Sequence, residues 1–121
     1  MSAQHQLKHH INFSSLNEFT GGNPEFCKNL INAFIAEMEI FITKIINNPT
    51  EDEFVSFRKV HHSISPSLQM LGMTMVSKAI EDYKSAYLNN SQNLIALTDS
   101  LVQMVQESIH EANQWIASDH K

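Results

Sequence analysis

The stretch that decides how this chain folds is Phe54–Gly72, "FVSFRKVHHSISPSLQMLG". Phe54, Phe57, His61, Ile64, Leu68 and Leu71 follow one another by steps of 3, 4, 3, 4 and 3 residues. At about 100° per residue, such steps gather six side chains on one face of an amphipathic helix. His61 belongs to that face and reads as a core-edge histidine with a hydrogen-bond partner. His62, one residue on, points roughly 140° away from the centre of the face, toward water. Arg58, Ser65, Pro66 and Gln69 share its side.

Pro66 interrupts this register chemically but not in phase. Proline has no N–H, so the carbonyl of His62 loses its usual helical donor, and the ring crowds that carbonyl, at a typical cost of ~3 kcal/mol. The alternative is a break, with Ser65 as an N-cap and Pro66 opening a new helix. The apolar spacing runs through Pro66 without a slip, and Pro66 lies on the outer side, the convex side of a helix bent around a core. One kinked helix is therefore expected.

Working outward, "SSLNEF" offers a short first helix with Leu16 and Phe19 three apart. In "TGGNP", Asn23 suits an N-cap, Pro24 the first helical position and Glu25 the positive end of the helix dipole. Phe26, Leu30, Phe34, Met38, Phe41 and Ile45 then recur at helical spacing. "NNPTEDE" ends that helix and opens the next with an acidic first turn. Beyond Gly72, Val76, Ile80, Tyr83 and Tyr87 form a fourth stripe. After the turn "NNSQN", Leu94, Leu97, Leu101, Met104, Ser108, Ala112 and Trp115 form a fifth. Short loops between long helices imply antiparallel neighbours. The expected fold is all-α, an antiparallel up-down four-helix bundle with a short additional N-terminal helix. Residues 1–10 read as a flexible tail, His5, His9 and His10 included, and residues 11–119 as one domain.

Composition narrows the function. A chain of 121 residues supports one core. A net charge of −5 argues against nucleic acid, which needs a clustered basic surface. The most apolar run, "FIAEMEIFITKII", carries Glu37, Glu39 and Lys44 and cannot span a bilayer. The N-terminus lacks the apolar stretch of a signal peptide. The single cysteine, Cys27, sits in apolar surroundings and reads as a buried structural thiol, which suits a reducing cytoplasm. Glu107 and His110 match half of a di-iron helix signature, but no second Glu-x-x-His accompanies them, so they read as solvated charges and no metal is expected.

Around His62 the spacing carries more than helix periodicity. Ile64 stands at plus two, and Leu71 and Gly72 at plus nine and plus ten. With the opening "NFSSLNEFTGGNPEF", this resembles the histidine-containing phosphotransfer (HPt) domain of two-component phosphorelays, over nearly the whole chain from Asn12 to about Trp115. The family's motif has a histidine, then Leu or Ile at plus two, Lys at plus three, Gly at plus four and Leu-Gly at plus nine and ten. Here Ser65 stands in the place of the lysine and Pro66 in the place of the glycine.

The resemblance implies that His62 is a phosphoryl acceptor. Its ring nitrogen remote from the backbone would take the group from a receiver-domain aspartate and pass it to another. An ordinary imidazole, with a pKa of about 6.5, needs no dedicated base for this near pH 7. The receiver would supply the metal ion and most of the charge stabilisation. The chain itself would have no cofactor and no kinase or hydrolase site. Ser65 can donate one hydrogen bond but brings no charge; Arg58, one turn before His62, and Lys59 beside it could supply the missing cation. Arg58, Lys59, Ser65, Pro66 and Gln69 are thus the expected phosphate-stabilising or docking residues. The implied partners are the receiver domains of a hybrid histidine kinase and a response regulator, met by a free-standing cytoplasmic monomer. The alternative is an interaction module of the same fold that binds receivers without accepting phosphate.

Overall fold

A computed structural model describes residues 9–118. Among them the chain forms five helices and no strand: α1 (Phe13–Thr20), α2 (Pro24–Ile42), α3 (Glu51–Met70), α4 (Thr74–Leu88) and α5 (Leu94–Ala117). No helix of the described residues is long and apolar enough to cross a membrane.

Local chemistry sets where the helices start and stop. The Asn12 side chain accepts the free N–H groups of Ser14 and Ser15 and so starts α1, which closes at Gly21 with φ of 68°. Asn23 accepts the N–H of Phe26 at 3.0 Å, with Pro24 as the first residue of α2. Thr50 and Glu53 form a reciprocal capping box at α3: the N–H of Glu53 donates to Thr50 Oγ1 at 3.1 Å, and the N–H of Thr50 to Glu53 Oε1 at 2.8 Å. Glu51, Asp52 and Glu53 place negative charge on the first turn of α3, where the helix dipole favours it. The helix then runs unbroken through Pro66, as its apolar register requires.

Gly72 ends this segment with φ of 61°, and the start of α1 lies over it. A Cβ there would stand 3.1 Å from Asn12 Cβ, and the Asn12 N–H donates to the Leu71 carbonyl at 2.8 Å. Glycine thus serves the turn and the close approach together.

α2 packs on α3 and α5, α4 packs on α3 and α5, and α1 lies against α2 and α3. The six residues of the α3 face meet the core as the spacing predicts, five buried and His61 half-buried. Aromatic rings dominate there. Phe54 stacks on Tyr87 at 4.0 Å, and Phe57 lies 4.8 Å from Tyr83 and 5.2 Å from Phe41. Tyr83 donates its phenol to the Ile46 carbonyl at 2.6 Å, and burial holds that phenol above its ordinary pKa, so it stays a donor.

Two stripes differ in detail from the sequence expectation. On α2 the buried set is Cys27, Ile31, Phe34, Met38 and Phe41, and Phe26 is 42% exposed, 6.3 Å from the ring of Phe19. On α5, Thr98, Val105 and Glu111 are buried while Leu97 and Met104 are half-buried. The regular 4-3-4-3-4 series Leu94, Thr98, Leu101, Val105, Ser108, Ala112 defines the inner face. Thr98 and Ser108 are tolerated inside because each hydroxyl donates to the carbonyl four residues back.

A larger difference concerns the tail. His10 is buried, its Nε2 2.8 Å from Glu107 Oε1 and its N–H donating to Glu111 Oε1 at 2.8 Å. The Ile11 N–H donates to the same oxygen at 3.3 Å, and His9 Nδ1 lies 3.3 Å from Glu111 Oε2. His9 and His10, assigned to the tail by sequence, are therefore pinned to α5, and the packed structure reaches at least to His9. The rest of that expected tail, His5 included, and residues 119–121 lie outside the described residues. Glu107 is a partner of His10 rather than a solvated charge, and no cluster of three His, Cys, Asp or Glu side chains among the described residues is arranged to hold a metal ion.

Candidate functional site

The middle of α3 turns its two histidines apart. His61 is half-buried, with the rings of Phe57 and Phe41 at 6.4 and 6.5 Å. Burial pushes its pKa below the ordinary imidazole value, the Lys84 ammonium adds to this, Glu81 opposes it, and His62 contributes a small further lowering. His62 is exposed. The difference follows from the 100° step between consecutive residues of one helix.

His62 lines a shallow hollow of about 500 Å³ together with Val55, Arg58 and Lys59. The cations lie four and three residues before it, and Val55 seven before it, so all four sit along one outer strip of α3. Among the described residues, neither Arg58 nor Lys59 has an ion-pair partner, whereas Lys78 is paired with Asp82 and Lys84 with Glu81. Two unpaired cations beside an exposed imidazole suit a dianionic phosphoryl group. The Arg fork can meet two oxygens and the Lys ammonium adds a point charge. Both side chains are exposed, so solvent and salt screen the attraction.

The other expected site residues are placed differently. The Ser65 hydroxyl donates to the His61 carbonyl at 2.9 Å, so its proton is directed back along the helix rather than toward His62. Pro66 is exposed one turn beyond His62. Gln69 is also exposed but lines a different hollow, near Gly72, Met73 and Ser77 at the end of α3. The structure thus gathers Arg58, Lys59 and His62, and keeps the Ser65 hydroxyl and Gln69 out of that group.

Val55 of α3, beside His62, and Ile40 of α2, which shares a neighbouring hollow with Lys59, were not singled out by sequence reasoning. Val55 carries a readable signal, since seven residues return a helix to within roughly 20° of His62. Ile40 carries none, because only the packing of α2 on α3 brings it near. Compared with family models, curated proteins and solved structures, this chain matches none.

Proposed function

We propose that the chain is a phosphorelay carrier: an antiparallel up-down helical bundle that accepts a phosphoryl group on His62 from a receiver-domain aspartate and passes it to another receiver aspartate. The observation that carries this reading is an exposed imidazole sharing a hollow with two cations that have no acidic partner among the described residues.

In the proposed step, Nε2 of neutral His62, with its proton on Nδ1, attacks the phosphorus of the aspartyl phosphate. A P–N bond forms as the acyl P–O bond breaks, and the electron pair leaves with the aspartate carboxylate. Transfer to the second aspartate reverses this. Arg58 and Lys59 balance charge on the phosphoryl oxygens, and positioning supplies the remainder, as is general for phosphoryl transfer. The partners are the receiver domains of a hybrid histidine kinase and a response regulator, and the working place is the cytoplasm.

One observation favours the second reading, a module that binds receivers without accepting phosphate. With Ser65 turned to the His61 carbonyl, no side chain at plus three faces the phosphoryl group. Incubation with a receiver domain charged by acetyl phosphate separates the two readings. The carrier reading expects label to move to this chain and be lost from a His62→Gln variant. A complex that forms with no label moving supports the binding module and removes the carrier.

A further inference from the structure

A second hollow, of about 220 Å³, lies beside that of His62, between α2 and α3. Its lining is Glu37, Ile40, Lys59, Val60, Ser63 and Ile64. Lys59 belongs to both hollows, so the α2–α3 hollow continues from the hollow of His62 on its Lys59 side.

This surface is apolar at its edges and cationic in the middle. Ile40 is 56% exposed and Val55 41% exposed, one in each hollow, with Lys59 common to both. The only carboxylate in the lining, Glu37, accepts a hydrogen bond from the Ser67 hydroxyl at 2.9 Å. The whole chain carries a charge of −5, so a strip bearing Arg58 and Lys59 runs against its overall sign. On the opposite flank, beside His61, α4 offers Glu81 and Lys84, which satisfy each other at 3.3 Å.

We infer that the partner docks to one side of His62, over the seam between α2 and α3, with Ile40 as the apolar anchor and Lys59 as the hinge between anchor and reaction site. The occupant is a receiver domain whose docking face is acidic and presents one large apolar side chain to the α2–α3 hollow; this rests on the phosphorelay reading. Ile40 then selects the partner without touching the reacting atoms. The contact is small, as suits an exchange that must release its partner after transfer. Charge complementarity around Arg58 and Lys59 speeds encounter and weakens with added salt.

The test uses two phosphoryl donors. Potassium phosphoramidate modifies exposed histidine without protein docking, whereas a receiver domain charged by acetyl phosphate must dock. Ile40→Glu, with Ile40→Ser as a milder second variant, is expected to keep the wild-type melting temperature and the wild-type phosphoramidate labelling of His62. Transfer from a receiver at sub-saturating concentration is expected to fall at least tenfold for Ile40→Glu and less for Ile40→Ser. Glu81→Lys, on the other flank, is expected to stay within twofold of wild type. Wild-type transfer rates in both Ile40 variants would overturn the inference, and so would a selective loss in Glu81→Lys, which would move the contact to α4. If phosphoramidate labels His62 but no receiver transfers to the wild-type chain, the phosphorelay reading falls first and the docking site with it.

Discussion

Two adjacent imidazoles differ here because each takes its environment from the face it occupies. His61 packs by Phe41 and Phe57 and has a lowered pKa, chiefly from burial, while His62 stands in solvent beside Arg58 and Lys59. The consequence for stability has a definite sign. Between the lowered folded pKa of His61 and the ordinary value of about 6.5, the unfolded chain binds more protons than the folded one. Stability attributable to His61 is therefore complete above about pH 6.5 and is lost as pH falls below it. The melting temperature of His61→Phe is expected to fall less than that of wild type between pH 7.5 and pH 5.5; equal falls would contradict this. Which histidine turns inward and which outward was legible from spacing alone. The direction of the Ser65 hydroxyl was not, because a serine within a helix can turn either to water or to the carbonyl four residues back.

At the scale of the element, α3 shows why a proline can be carried inside a helix. The helix keeps its register because Ile64, Leu68 and Leu71 are buried on the far side of Pro66, and their packing holds both halves in phase. Pro66→Gly returns an N–H to the His62 carbonyl and removes the ring from the outer strip. Glycine disfavours helix by ~1 kcal/mol against ~3 for proline, so the variant should melt at or above the wild-type temperature and transfer phosphate equally fast or faster. An intact melt with lost transfer would mean instead that Pro66 presents His62 to a particular receiver. Although α2 closes at Ile42, short of the Ile45 that ends its expected stripe, the helix limits set by Asn23, Pro24 and Gly72 were the most legible features, since these residues act through their nearest neighbours. The inner faces of α2 and α5 were less so. Phe26 and Cys27, or Leu97 and Thr98, are adjacent apolar or small residues, and only contact with the other helices decides which one is covered.

At the scale of the molecule, the chain closes on itself through Glu111. Its carboxylate accepts the N–H groups of His10 and Ile11, and its neighbour Glu107 meets the buried ring of His10, so the segment before α1 is fixed along α5. Phe13 stacks on Trp115 at 5.6 Å beside this clasp. Glu111→Ala leaves two backbone donors to find water and is expected to cost about 1–3 kcal/mol. The check is a melting temperature several degrees lower, with faster hydrogen exchange at His10 and Ile11 and no change in the labelling of His62. Unchanged exchange at Ile11 would show that the carboxylate does not hold the segment. Sequence could not reveal this clasp: His10 and Glu107 lie about a hundred positions apart, and a polar N-terminus with no apolar periodicity reads as a tail.

The carrier role of His62 is tested most directly by locating the phosphoryl group. After brief incubation with a charged receiver, the intact chain is fragmented under alkaline conditions, and the mass increment is assigned within the α3 segment. The expected result is one phosphoryl group on His62, absent from His62→Gln and retained in His61→Gln. A phosphoryl group on His61, or none on either histidine while the receiver remains bound, would contradict it.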